Sequence, residues 1–205
     1  ETRANSQGVA VEAALAFLPA FHQLENAPVD PAKEAALRRY YVEQVLPSLA
    51  VESGADVELN SVYPEPPAAR YLQYEYIANN PFPYGDREGM IRAEDGSTYS
   101  QVHEKFHPRL ADLFLGLGYS NVILVDIATG DIIYSARKYI SFGTSLSDGP
   151  FSHGNLAALF RSFQQLPDPG RVEIADFQRH RARRGVPTAF LGTPLFSDGQ
   201  PFALL

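Results

Sequence analysis

The chain changes its hydrophobic period at residue 121. Upstream, apolar residues recur every three or four positions; then comes NVILVDIATGDIIYSARKY, two β-branched runs separated by a Thr-Gly turn signal. Residues three and four apart share a helix face, whereas alternate residues share a strand face, so the two patterns demand different backbones. The paired runs predict an antiparallel hairpin. After it, FSHGNLAALFRSFQQL predicts one short helix with Leu156, Leu159, Phe160 and Phe163 apolar, and RVEIADFQ, PTAFLGTPLF and PFALL are further strand-like runs. This order predicts an α+β fold with an antiparallel sheet of about five strands. A single domain over residues 1–205 is expected, mainly helical through 118 and sheet-forming from 119.

The helical half is punctuated by proline. VEAALAFLPAFHQL places Val11, Leu15 and Leu18 on one face, and Pro19 is expected to kink or end that helix. In VDPAKEAALRRYYVEQVLPSLA, Asp30 can accept from the free N–H groups of the first turn and Pro31 sits where its missing N–H costs nothing. Leu37, Tyr41 and Val45 form its buried stripe, and Pro47 limits its length. SVYPEPPAAR reads as an extended connector into AARYLQYEYIAN, with Asn79 and Asn80 before Pro81 as a helix stop. DGSTYSQVHEKFHPRLADLFLGLGY carries a stripe of Tyr99, Val102, Phe106, Leu110, Leu113 and Leu117, ending near Gly116 and Gly118.

Composition excludes several function classes. With 45% hydrophobic and 20% charged residues, the chain can bury a core. A net charge of -7 gives no electrostatic reason to bind nucleic acid or an anionic membrane. Without cysteine there is no thiol catalysis, thiolate metal site or disulfide. No run approaches the roughly 20 apolar residues that span a bilayer, and ETRANSQG lacks the basic start and apolar middle of a signal peptide, so the chain is expected to be soluble as it stands. The abrupt apolar PFALL predicts a fragment of a longer protein.

SQVHEKFHP contains HExxH, in which one helical turn presents two imidazoles to zinc beside a glutamate. That geometry needs an unbroken helix and a third protein ligand. Pro108 follows His107 directly and predicts a kink or restart. Downstream, HEKFHPRLADLF supplies only Arg and Asp where a third ligand would stand, and the only later glutamate is Glu173, in a predicted strand. A zinc-dependent hydrolase is therefore the rival reading. The alternatives are ordinary core histidines, or histidines that contact a ligand and titrate near neutral pH.

Taken together, YLQYEYIANNPFPYGDR, DGSTYSQVHEKFHP, LGLGYSNVILVDIATGDIIYSARKYISFGTSLSDGPF and LAALFRSF resemble the extracytoplasmic, Cache-type sensor region of bacterial transmembrane receptors, whose outputs are adenylate cyclases, chemotaxis receptors or sensor histidine kinases. The resemblance runs from about Tyr71 to Leu205, and Asp126, Thr129-Gly130-Asp131, Tyr134, Lys138, Gly143-Thr144 and Gly149-Pro150 stand where the family pattern has them. It implies a PAS-like sheet in a periplasmic, non-catalytic, small-molecule-binding domain tethered by two flanking membrane spans, signalling by displacement of the N-terminal helix and C-terminal strand. No cofactor is implied. The Tyr/Arg/Trp-Tyr string by which many members hold amino acids is missing, so amino-acid sensing is not implied. A homodimer through the N-terminal helices is expected, because helices of this length need packing to persist.

Such sensors bind between the sheet and its covering helices. Alternation puts Val122, Leu124 and Asp126 on one hairpin face, and Ile132, Tyr134, Ala136 and Lys138 on one face of the partner strand. The candidate ligand contacts are Tyr74, Tyr99, His103, His107, Asp126, Tyr134 and Lys138. Competing structural roles are plain: Asp126 bonding backbone N–H groups of its turn, Lys138 snorkelling from a sheet edge. Tyr71, Tyr74 and Tyr76 cannot all face one way, so at least one is core or dimer contact. RHRARRG reads as a solvated loop or as a site for an anion or lipid phosphates.

Overall fold

The computed structural model describes residues 2–28, 30–165 and 168–205, with side chains from residue 8 onward. Val29, which opens the second predicted helical stretch, and Leu166, which closes the one after the hairpin, lie outside the described residues. Five helices come first: α1 (Thr2–Leu24), α2 (Pro31–Tyr40), α3 (Leu46–Ser53), α4 (Pro67–Gln73) and α5 (Thr98–Gly116). They are followed by β1 (Ile123–Asp126), β2 (Ile132–Ser135), α6 (Asn155–Gln165), β3 (Glu173–His180), β4 (Val186–Gly192), β5 (Pro194–Ser197) and β6 (Gln200–Leu204). The architecture is α+β, a long N-terminal helix and further helices followed by antiparallel sheet. No helix among the described residues is long and apolar enough to cross a membrane.

None of the three prolines ends its helical run. α1 runs past Pro19 to Leu24 because the core grips both sides of it: Phe17, Ala20, Phe21 and Leu24 are all buried. The buried stripe is not Val11, Leu15 and Leu18, since Leu15 is 46% exposed; it is Ala10, Ala13, Ala14, Phe17, Ala20, Phe21 and Leu24. Small alanines let α1 lie close to its neighbours, which a count of large apolar residues overlooks. Pro47 is absorbed by a wider winding at Tyr41–Val45, where the Leu46 N–H donates back to Tyr41 O. An extra residue per turn makes room for a ring that would otherwise strike the carbonyl four residues earlier. α5 likewise continues through Pro108, capped at its start by Ser97 Oγ, which accepts from Ser100 N. Asp30 caps α2, accepting from Ala32 N at 2.8 Å, and Leu37, Tyr41 and Val45 are buried.

The larger sheet has the order β2-β1-β6-β5, and β3 pairs with β4 in a separate hairpin. The two are linked: only Thr193 separates β4 from β5, and it exchanges both backbone hydrogen bonds with Leu205, each at 3.0 Å. β4 and β5 thus form one bent path, which is why about five predicted strands become six. The β1–β2 turn needs Gly130, at φ +84°, because a Cβ there would lie 2.7 Å from Ser147 Oγ. Gly143, at φ +80°, lets the loop after β2 touch α4, where a Cβ would come within 2.7 Å of Ala69 Cα.

Strand alternation divides the larger sheet into two faces. Leu124 and Tyr134, paired across β1 and β2, face α1 and α5, with the Tyr134 ring 4.9 Å from that of Phe17. Val125 and Leu204, paired across β1 and β6, face α6 and the β3–β4 hairpin.

Candidate functional site

Five of the seven sequence-selected residues converge between the sheet and α5. Tyr99, His103, Tyr134 and Lys138 are completely buried and His107 is nearly so. The two imidazoles stack with centroids 4.3 Å apart at 20°. Their hydrogen bonds fix the tautomers: a carbonyl only accepts, so His107 Nε2–H donates to Glu88 O at 2.7 Å, and His107 Nδ1 accepts from the Tyr134 hydroxyl at 2.8 Å. His103 Nδ1–H donates to Ile91 O at 2.5 Å, which leaves His103 Nε2 a buried acceptor without a partner among the described residues. Burial, reinforced by Lys138, lowers the His107 pKa to about 4. Burial, then Lys138 and His107, hold His103 well below the usual histidine value. Both rings are neutral at pH 7, as for ordinary core histidines and not for the alternative in which they titrate near neutrality.

Lys138 does not snorkel. Its backbone is left-handed at φ 52°, and its Nζ turns inward to donate to Ala136 O at 3.1 Å, 6.0 Å from the Tyr76 ring centre. Burial lowers its pKa to about 7, against the pull of Glu88. Tyr99 O–H donates to Ile133 O at 2.7 Å. This face is solid: apart from His103 Nε2, its polar groups are consumed by neighbours. The HExxH helix is unbroken, yet the pattern does not aim two free nitrogens at one point, and Glu104 lies outside, paired with Arg92 at 3.0 Å. Among the described residues no three His, Asp or Glu side chains are grouped to hold a metal ion.

The other two selected residues lie elsewhere. Asp126 serves the β1–β2 turn, its carboxylate accepting from Ala128 N at 2.8 Å and Thr129 Oγ1 at 3.1 Å, with His22 Nε2 at 3.2 Å. Tyr74 lines a cleft of about 570 Å³ among α1, α2, α4 and the start of α5, together with Lys33, Arg70 and Tyr71. Tyr76, four positions from Leu72 along the winding, goes to the core and bonds Ser100 Oγ at 2.8 Å.

A second cavity, of about 180 Å³, lies on the opposite face of the sheet. Ile123, Val125 and Leu204 form its sheet wall, Leu156 and Leu159 of α6 another, and Phe190 of β4 a third. Its polar groups are those of Tyr119, Ser120, Asn121, Tyr139, His180, Arg183, Thr188 and Thr193. Among the described residues, the buried Thr193 Oγ1 has no hydrogen-bond partner. Burial, then Arg183, lowers the His180 pKa to about 4, so its ring is neutral. Among the described residues the hydrogen bonds of Arg183 are long, 3.3 Å to Ser120 Oγ and 3.5 Å to Thr188 Oγ1, and its guanidinium lies 6.0 Å from the centre of the Tyr139 ring. RHRARRG, expected to be a solvated loop or a site for an anion or lipid phosphates, covers the last two residues of β3 and the connection to β4, and its His180 and Arg183 reach the cavity. The signal that was available is the apolar wall itself, the outward set of the same alternation that selected Leu124 and Tyr134.

Gln73 was also missed. Fully buried, it accepts from Tyr41 O–H at 2.5 Å and donates to Ile140 O and Phe142 O at 2.7 and 2.9 Å, clamping the loop after β2 to the helices. Compared with known proteins, the chain matches no family model, no curated protein and no solved structure.

Proposed function

We propose that this chain is the extracytoplasmic, non-catalytic sensing domain of a bacterial transmembrane receptor, with a small molecule bound between the sheet and α6. The cavity carries this reading: mostly apolar walls, a few convergent polar groups, and a buried hydroxyl with no partner are what a small-ligand site requires. The architecture around it suits a relay. Leu204 and Leu205, at the end of β6, line the cavity, while α1 lies across the other face of the same sheet. A ligand that binds one arrangement of β6 and α6 better than another shifts their populations, and the sheet carries that shift to α1. Tethering by flanking membrane spans, a periplasmic location and a homodimer through the N-terminal helices belong to the same proposal and rest on the family resemblance.

A thermal-shift screen against organic acids, amines and nucleotides tests it. A ligand at about a hundred times its dissociation constant stabilises by about 2.7 kcal/mol, which raises the midpoint of a chain this size by roughly 5 to 10 °C. Val125→Phe, which fills the cavity from the sheet, and Ser120→Trp, at its rim, are expected to abolish that shift while leaving the circular dichroism spectrum native. A ligand whose effect survives both substitutions binds elsewhere and removes the cavity as the sensing site.

A further inference from the structure

The helical cleft already holds an ammonium ion, supplied by the chain itself. Lys33, on the first turn of α2, places its Nζ 2.5 Å from Glu75 Oε1, 5.3 Å from the centre of the Tyr74 ring and 5.8 Å from that of Tyr71. The Glu75 side chain is only 5% exposed, so its charge needs a cation in this position. Tyr71 is held by its own hydroxyl, which donates to Asp95 Oδ2 at 2.9 Å. Two aromatic faces and a buried carboxylate converging on one point are a cation site of the kind that recognises amines. The Lys33 side chain is 39% exposed, and the cleft beyond it, about 570 Å³, is far larger than one ammonium group needs.

We propose that this cleft is a receptor site for primary alkylammonium ions, in which Lys33 stands in for the ligand when none is bound. An incoming amine takes the place of the lysine head between Tyr71, Tyr74 and Glu75, its alkyl chain lying in the cleft toward Leu24, Leu37 and Pro67, and Lys33 swings into solvent on its flexible stem. The exchange is nearly neutral in charge and hydrogen bonding, so the ligand's advantage is the apolar surface that its chain covers. It has a structural consequence. Lys33 ties α2 to the winding that follows α4, and its release removes that ion pair while the packing between them remains. This inference stands on residues separate from the sheet-side cavity.

Because the resident lysine competes at high effective concentration, removing it should tighten binding. Isothermal titration with n-butylammonium and putrescine, at fixed ionic strength with sodium chloride and butanol as controls, reads this directly. The wild type is expected to bind one equivalent saturably, Lys33→Met at least ten-fold more tightly, Glu75→Gln at least ten-fold more weakly, and Val125→Phe as the wild type does. Tyr74→Leu, which keeps the carboxylate, should weaken binding several-fold and covers the case in which Glu75→Gln fails to fold. Absence of saturable binding by the wild type overturns the proposal even if Lys33→Met binds, because the lysine is then a permanent plug. Binding by a folded Glu75→Gln at wild-type strength overturns it equally.

Discussion

On the α1 and α5 side of the larger sheet, Phe17, Tyr99, His103, Tyr134 and Lys138 are all at 0% exposure, and their rings and polar atoms satisfy one another apart from His103 Nε2. On the α6 side, Val125, Leu156, Leu204 and Phe190 enclose empty volume, and Thr193 Oγ1 has no partner. The strands are shared; the covers differ. α1 and α5 bring aromatic rings that fill the space against the sheet, whereas α6, with Phe160 and Phe163 buried beside Gly130 and Gly192, turns Leu156 and Leu159 to the cavity and leaves the β3–β4 hairpin to close the rest. A face crowded with titratable side chains is therefore not the face with room for a ligand. Chemical variety marks the packed side, and missing volume marks the open one.

Core truncation should separate the two sides most. Phe17→Ala removes a ring with aromatic neighbours at 4.9 to 6.4 Å and is expected to cost about 3 to 5 kcal/mol in urea denaturation. Leu156→Ala, on a wall that already faces a void, forfeits fewer contacts and should cost about 2 kcal/mol. Equal losses would mean that the α6 side is packed as tightly as the other.

The next largest effect is that of pH on Lys138. Its pKa is about 7 in the folded chain and 10.5 for a free side chain. Between those values the unfolded chain holds a proton that the folded chain lacks, so stability rises with pH from about 7 to 10.5. Below about 7 both states are protonated and the whole cost of burying the ammonium is present. Lys138→Met is expected to flatten that rise and, near pH 6, to stabilise by about 1 to 4 kcal/mol. His107, with a folded pKa of about 4 against 6.5, adds a loss of stability as pH falls through that window. His180, on the cavity side, adds one of the same sign, so the alkaline limb alone reports on the packed face. An unchanged alkaline limb in Lys138→Met would show that this lysine reaches water.

What could be read from the chain was local. The hairpin, α6, the Asp30 cap and the Leu37, Tyr41 and Val45 stripe each follow from neighbours within a turn or a strand. The failures were all tertiary. Pro19, Pro47 and Pro108 are tolerated because packing or an added residue per turn outweighs one lost hydrogen bond, and α1 buries alanines because α5 comes close. For the site, alternation set Leu124 apart from Val125, but the register shift between them puts Ile132 opposite Val125 and Tyr134 opposite Leu124, and Lys138 lies past the end of β2. The expected partner-strand set of Ile132, Tyr134, Ala136 and Lys138 therefore does not share a strand face. Nor does the local sequence record how much volume α1, more than a hundred residues away, or α6, some thirty residues on, brings against either face. Gln73 shows the same limit, since its partners Ile140 and Phe142 lie 67 and 69 residues on.

The finest comparison deletes one hydroxyl from each face. Tyr134→Phe leaves the ring in place and strips His107 Nδ1 of its only donor, turning a satisfied acceptor into a buried orphan, at an expected cost of about 1 to 3 kcal/mol. Thr193→Val removes an oxygen that has no partner to lose, keeps the β-branched shape that suits its extended backbone, and should be neutral or stabilising by up to about 1 kcal/mol. Opposite signs in the two denaturation curves would fit a closed network on one side and an unfilled site on the other. A loss in Thr193→Val as large as that in Tyr134→Phe would mean that the threonine hydroxyl is already engaged in solution, by water or by a bound molecule that purifies with the chain, and native mass spectrometry of the wild type would then tell which.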